Sequence, residues 1–381
     1  MQWLNLTTPS ELWIYGPPGT GKSVLLSAVI NYLQRHKHPT IYVFNSIREQ
    51  DSTAPRILAS LIQQMISLMP YSPAPTLTSE QMMTNPVSRL LEIFLDIASR
   101  FDQLFCCIDT MDECDETRWS ILKGLDTIIE TGAAPLKLVV TSRSLPNSNH
   151  VLAKPKFRID LPNAETTHNI ERLISGTISN VSTELASELV RRADGMFLWA
   201  QLALLKMKRP NADIKDILDM LPTSIKGMYR QSLVEFVMRS STPDIELFCL
   251  ILIWVATSLR PLRVEELQIA IAVDPSDTML EELKLLPAPK ESIVNICSPF
   301  LRIQTDDTVV PVHPTIQEFL RSSHAPSITI SPQVNIPISS TGAYAFLASV
   351  CLTYLGFDIF STLYAEGTFR KFKFLEYAAC Y

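Results

Sequence analysis

Over residues 1–162 short apolar runs alternate with longer amphipathic stretches. The runs "LWIY" (12–15), "TIYVFN" (40–45), "LFCCID" (104–109), "LKLVVTSR" (136–143) and "FRIDL" (157–161) are apolar or β-branched and predict strands. The stretches 22–36, 55–69, 86–100 and 118–132 place apolar residues at helical spacing and predict helices. In the first of these, Val24, Leu25, Ala28, Val29 and Leu33 form the expected inner face. A strand without polar alternation is covered on both sides, as in parallel sheets. The predicted fold here is therefore an α/β domain: an open parallel sheet with helices on both faces.

Beyond residue 163 the period is helical: 166–176, 183–209 as one helix, 213–220, 224–239, 244–258, 263–273 and 290–298. Two apolar runs around Asp306-Asp307 then predict a hairpin, followed by a helix over "TIQEFLRSS". Helices with a terminal hairpin resemble a winged helix. The expected division is 1–162 for the α/β domain, 163–240 for an all-α helical domain, 241–325 for a winged-helix domain and 326–381 for a helical C-terminal segment. The most apolar stretches, 247–259 and 344–357, are shorter than the roughly 20 residues of a spanning helix, so buried helices and no membrane span are expected.

Composition narrows the class. With 46% hydrophobic and 19% charged residues, the 381-residue chain has material for a large core. A net charge of −6 with scattered basic residues argues against a nucleic-acid partner. Seven cysteines, an odd count without a C-x-x-C pair, fit a reducing, cytoplasmic setting, with Cys106 and Cys107 read as strand packing.

Between the first strand and the first helix stands "GPPGTGKS" (16–23), which reads G-x-x-x-x-G-K-S. This is the phosphate-binding loop of P-loop NTPases. Glycines let the backbone curl so that several amides meet one anion, and the following helix adds its positive end. Gly16, Gly19, Thr20, Gly21, Lys22 and Ser23 are the candidate contacts to ATP or ADP, with Lys22 on the β- and γ-phosphates and Ser23 on Mg²⁺. "LFCCIDTMDECD" (104–115) ends a strand in an acid. Asp109 at that strand tip is a second Mg²⁺ ligand candidate, and Asp112 and Glu113 are placed to position or polarise water. Arg143, ending "VVTSR", is a candidate γ-phosphate reader or an ordinary surface arginine.

These three segments in this order resemble the NACHT branch of the STAND NTPases, the D-x-x-D-E form of the acidic segment above all. "ADGMFLWAQLAL" (193–204) and "MLPTSIKGMYRQSL" (220–233) resemble fungal NACHT proteins of the vegetative-incompatibility type, which are NLR-like. "VHPTIQEFL" (312–320) is similar to a stretch in the winged helix of animal NACHT receptors. The resemblance implies a switch: ADP holds a closed form, ATP opens it, and the open form self-associates or meets protein partners. By the same resemblance His313 would contact the ADP β-phosphate and residues 195–197 would lie by the adenine. Here Met196-Phe197 stands where many relatives have a proline-containing G-x-P, and Pro314 restricts His313 to extended backbone. The family also carries an effector before the P-loop and repeats after it, and the stop inside "FLEYAACY" reads as a cut before such repeats. Two readings stay open: a nucleotide switch with slow or regulated hydrolysis, and a nucleotide-stabilised interaction scaffold. A turnover enzyme ranks behind both, since no substrate lid or second catalytic arginine motif is visible.

Overall fold

The computed structural model describes residues 3–4, 6–44, 53–69, 86–109, 116–143, 157–178, 182–208, 214–322, 327–331, 334–337, 341–360 and 372–380. These residues fall into two compact units, Met1–Leu221 and Pro222–Tyr381.

In the first unit, five strands form one parallel sheet: β1 (Ser10–Tyr15), β2 (Thr40–Phe44), β3 (Leu104–Asp109), β4 (Leu136–Ser142) and β5 (Phe157–Asp160), in the order β2-β3-β4-β1-β5. Between them run α1 (Lys22–Arg35), α2 (Ala54–Leu68), α3 (Val87–Ala98) and α4 (Glu116–Thr131). The unbroken apolar runs follow from burial on both faces. Leu104, Cys106 and Ile108 of β3 join the core built with α2, α3 and α4, whereas Phe105 and Cys107 join the core built with α1 and Trp3. Successive strand residues point to opposite faces, so each face needs its own apolar set. The cysteines pack as expected: burial pushes the Cys106 thiol up and the Cys107 thiol to about 12.

The inner face of α1 is rotated from the one the sequence suggested: Leu33 is buried and Leu25 and Val29 pack at its margin, but Val24 and Ala28 are exposed. Leu26, Ile30 and Leu33 are buried, while Val24 is 75% exposed. "VLLSAVINYL" offers two apolar stripes, and the direction in which the preceding loop launches the helix decides between them. β2 is an edge strand, and Gln64 of α2 covers its rim. The Tyr42 N–H donates to Gln64 Oε1 and Gln64 Nε2 donates to the Tyr42 carbonyl, both at 2.9 Å.

After the sheet come α5 (Ala164–Thr177), α6 (Thr183–Ala193), α7 (Phe197–Met207) and α8 (Ile214–Met220). The helix expected over 183–209 is thus two. Asp194 and Gly195 both take positive φ, 45° and 74°, which closes α6 and lets α7 start in a new direction.

In the second unit α9 (Ile225–Arg239) precedes α10 (Thr242–Thr257), apolar all round and buried from Phe248 to Thr257 save Leu250. Among the described residues no helix is long and apolar enough to cross a membrane. Around α10 stand α11 (Val264–Ala272), α12 (Pro289–Cys297), the antiparallel pair β6 (Leu301–Ile303) and β7 (Val309–Pro311), and α13 (Pro314–Arg321). The hairpin turns at Asp307, whose φ is 66°, and Arg263 bridges to Thr308 beside it. This is the helix-and-wing arrangement the sequence predicted. The segment expected to be helical beyond residue 326 begins instead with a second antiparallel pair, β8 (Ser327–Ser331) and β9 (Val334–Pro337), before α14 (Thr341–Leu355) and α15 (Leu375–Cys380). "SITIS" and "VNIP" alternate with β-branched residues, a period of two set between helical stretches.

Candidate functional site

The strand ends decide where the loop sits. Tyr15 of β1 pairs with Ser142 of β4, and Phe44 of β2 with Asp109 of β3, so the carboxyl ends of four strands finish close to one another. Ligands of open α/β sheets bind at this edge. The loop leaves β1 at Gly16, whose N–H donates to the Ser142 carbonyl at 3.2 Å. Gly16 has no room for a side chain, since a Cβ would stand 2.2 Å from the Leu161 carbonyl oxygen. Gly19 and Gly21 have φ of 83° and 87°, the left-handed geometry that curls the loop. Gly21 is the N-cap of α1 and makes no side-chain cap bond.

Lys22 is buried, and its Nζ donates to the Gly16 carbonyl at 2.7 Å and to the Pro17 carbonyl at 3.0 Å. Thr20 is buried, and its hydroxyl donates to the Pro17 carbonyl at 2.8 Å. The loop is therefore braced by its own side chains. Ser23 follows on the first turn of α1, half-buried. At the end of β3 the buried Asp109 accepts a 2.5 Å hydrogen bond from the Thr141 hydroxyl of β4. β4 stands between the loop strand and the acid strand, so Thr141 occupies the ground between them. Arg143 follows directly on β4 and is half-buried. Asp112 and Glu113 lie outside the described residues.

His313 belongs to the second unit, between β7 and α13. Its Nδ1 accepts the Thr315 N–H at 3.2 Å, capping α13, and lies 2.8 Å from Thr315 Oγ1. The Tyr229 hydroxyl meets Thr315 Oγ1 at 2.9 Å. A nitrogen that accepts a backbone N–H is unprotonated, so in the neutral ring the proton is on Nε2. Pro314 suits this geometry, since His313 is extended at φ −145° and ψ 145°.

The sequence did not single out Thr141, Leu161-Pro162 or Leu198, all of which surround or brace the loop. Thr141 was visible in "VVTSR" as the first polar residue after an apolar strand run. Leu161 and Leu198 act through backbone groups, which no residue type advertises.

Comparison with known proteins agrees with the geometry. Residues 1–143 match the family model described as Nephrocystin 3, N-terminal, and residues 238–328 match that of the GPI inositol-deacylase winged helix domain. The vegetative incompatibility protein HET-E-1 of Podospora anserina is 28% identical over 352 residues, covering 84% of this chain. These matches support likeness to NACHT-type, NLR-like proteins. The chain spans about a quarter of the length of that relative. A Walker-type ATPase of Pyrococcus abyssi is similar with a TM-score of 0.43 and 17% identity, over 84% of this chain and 94% of its own. AMPPCP-bound DnaA from Aquifex aeolicus gives a TM-score of 0.36 and 15% identity, over 62% and 65%. At such scores neither adds to what the sheet order and the loop already say.

Proposed function

We propose that the chain is the ATP- and ADP-binding switch module of a NACHT-type signalling protein, with slow or regulated ATP hydrolysis. The observation that carries this reading is the braced loop of Gly16–Ser23 at the same sheet edge as the Asp109–Thr141 pair. In it the amides of residues 19–23 and the Lys22 ammonium hold the phosphates. Ser23 and Asp109 supply hard oxygens of the kind Mg²⁺ takes, and the magnesium would neutralise phosphate charge. Mg²⁺ usually keeps several waters and needs only one or two protein ligands, which this donor set fits. Asp112 and Glu113 orient the attacking water, Arg143 reads the γ-phosphate, and His313 donates from Nε2 to an ADP phosphate in the closed form.

The four-part division at residues 162, 240 and 325 belongs to this reading. So do a cytoplasmic location, self-association or a protein partner on activation, and the absence of nucleic acid among the partners. The test is the nucleotide retained on purification together with the turnover rate. Retained ADP with very slow turnover supports the switch, and Glu113→Gln should then abolish the residual turnover while keeping ATP bound. Fast turnover would make the protein an enzyme. A nucleotide-free protein of unchanged stability would make it an interaction scaffold.

A further inference from the structure

The first turn of α7 rests on the phosphate loop. The Leu198 N–H donates to the Gly19 carbonyl at 3.3 Å. The Phe197 ring lies beside Gly21, with Cδ2 and Cε2 at 3.4 and 3.6 Å from where a Cβ would stand. The turn that delivers Phe197 is itself fixed. At Gly195, φ 74°, a Cβ would fall 2.0 Å from Pro162 Cβ. The neighbouring Leu161 donates its N–H to the Tyr15 carbonyl at 2.8 Å, and its own carbonyl crowds Gly16. One dipeptide, Leu161-Pro162, therefore touches both the start of the loop and the turn before α7.

These contacts bear on how the loop presents its donors. Gly19 and Gly21 are the softest points of the backbone, with no side chain to hold either of them. The Gly19 carbonyl and the Thr20 N–H belong to one planar trans peptide and point in opposite directions. Pinning the carbonyl on the Leu198 amide therefore aims the Thr20 N–H to the other side of the loop. The Phe197 ring supplies beside Gly21 the wall that a side chain would otherwise provide.

We infer that Phe197 and the Leu198 amide are positioning groups for the phosphate loop, so that nucleotide binding and docking of the first turn of α7 stabilise each other. The inference rests on the nucleotide-binding reading of the loop. Coupling of this kind is reciprocal: what α7 gives to phosphate affinity, bound phosphate returns to α7. Phe197 is half-buried, so its truncation is tolerable to the fold.

The test uses the full chain, a fluorescent ADP analogue and amide hydrogen exchange. Phe197→Ala should weaken the analogue about tenfold, within the usual range of such couplings. It should also speed exchange over residues 16–26 without nucleotide and remove the ADP-induced protection of residues 197–207. Phe197→Leu should restore most of all three. Leu204→Ala is the control, because Leu204 is a buried residue of α7 a full turn or more from the loop contacts. It should lower the melting temperature yet keep parent-like affinity and parent-like exchange over 16–26. Parent-like affinity and exchange in Phe197→Ala would overturn the inference, and so would an equal weakening by Leu204→Ala. A parent that binds no ADP would overturn the nucleotide reading, while exchange over 16–26 still decides whether Phe197 holds the loop.

Discussion

At each end of the sheet a buried lysine donates to two backbone carbonyls, and the two sites differ in what completes them. At the carboxyl end Lys22, 6% exposed, reaches the Gly16 and Pro17 carbonyls at 2.7 and 3.0 Å. At the amino end Lys137, 1% exposed, reaches the Trp3 and Leu4 carbonyls at 2.8 and 3.0 Å. Around Lys137 the remaining solvation comes from ring faces, with the Trp3 and Phe105 centroids at 5.1 and 5.5 Å. Burial there lowers its pKa. Around Lys22 the neighbours are left-handed glycines and the start of a helix, groups that present N–H donors rather than π faces. Both ammonium groups are held by a pair of carbonyls. Whether the site then serves structure or an anion depends on the donors that share its space.

The comparison makes opposite demands on the two lysines. Lys22→Ala should weaken ADP binding about hundredfold, ~2.7 kcal/mol, with a smaller loss of melting temperature than Lys137→Ala, since no ring contacts go with it. Titration with a fluorescent ADP analogue measures this, and parent-like affinity would remove the loop's assignment. Lys137→Ala should do the reverse. It strands two carbonyls and loses the ring contacts, at a cost of about 2–3 kcal/mol, while ADP affinity stays within about twofold of the parent. Chemical denaturation checks the first half, and a matching loss of affinity would erase the distinction between the two ends.

The amino end of β1 holds a half-buried carboxyl whose effect depends on pH. Burial first, then Asp126 and Glu130, push Glu11 up to about 7. The folded state therefore keeps the proton longer than the unfolded state does. Stability from this group is whole below the unfolded value near 4.5 and is lost as pH rises to about 7. Glu11→Gln should accordingly be neutral at pH 4.5 and stabilising at pH 8. Because the side chain is only partly buried, the full shift is discounted to about 1–2 kcal/mol. Denaturant midpoints at the two pH values decide it, and a pH-independent difference would refute the raised Glu11 pKa. The smallest effect expected is at the carboxyl end. Thr141→Val removes one hydrogen bond to Asp109 and should raise the Mg²⁺ needed for half-maximal ATP binding about fivefold, ~1 kcal/mol. An unchanged Mg²⁺ midpoint would detach Thr141 from the metal site.

The two lysines also show what a sequence makes legible. Lys22 announces itself, because its chemistry lies within eight consecutive residues between a strand and a helix. Lys137 in "LKLVV" reads only as a break in a strand, since its partners lie 133 and 134 residues away in sequence. The same division holds elsewhere. The succession of strands and helices, the loop, the place of Asp109 at a strand end and the Asp306-Asp307 hairpin are local patterns and were readable. The break at Asp194-Gly195 was hidden because apolar spacing continues on both sides of it. The inner stripe of α1 was ambiguous because "VLLSAVINYL" supports more than one. The placing of Phe197 and Leu198 on the loop depends on a turn wedged against Pro162, a contact between segments some 30 residues apart that no local period encodes.

The Gln64 amide at the rim of β2 gives the sheet a removable stopper. Its carbonyl and NH₂ imitate one residue of a sixth strand, saturating the Tyr42 backbone that an incoming chain would need. A partner that approaches by strand addition at Tyr42 must first evict this side chain, and it gains there only what the amide already supplies. Strand addition at Tyr42 is thus set close to break-even.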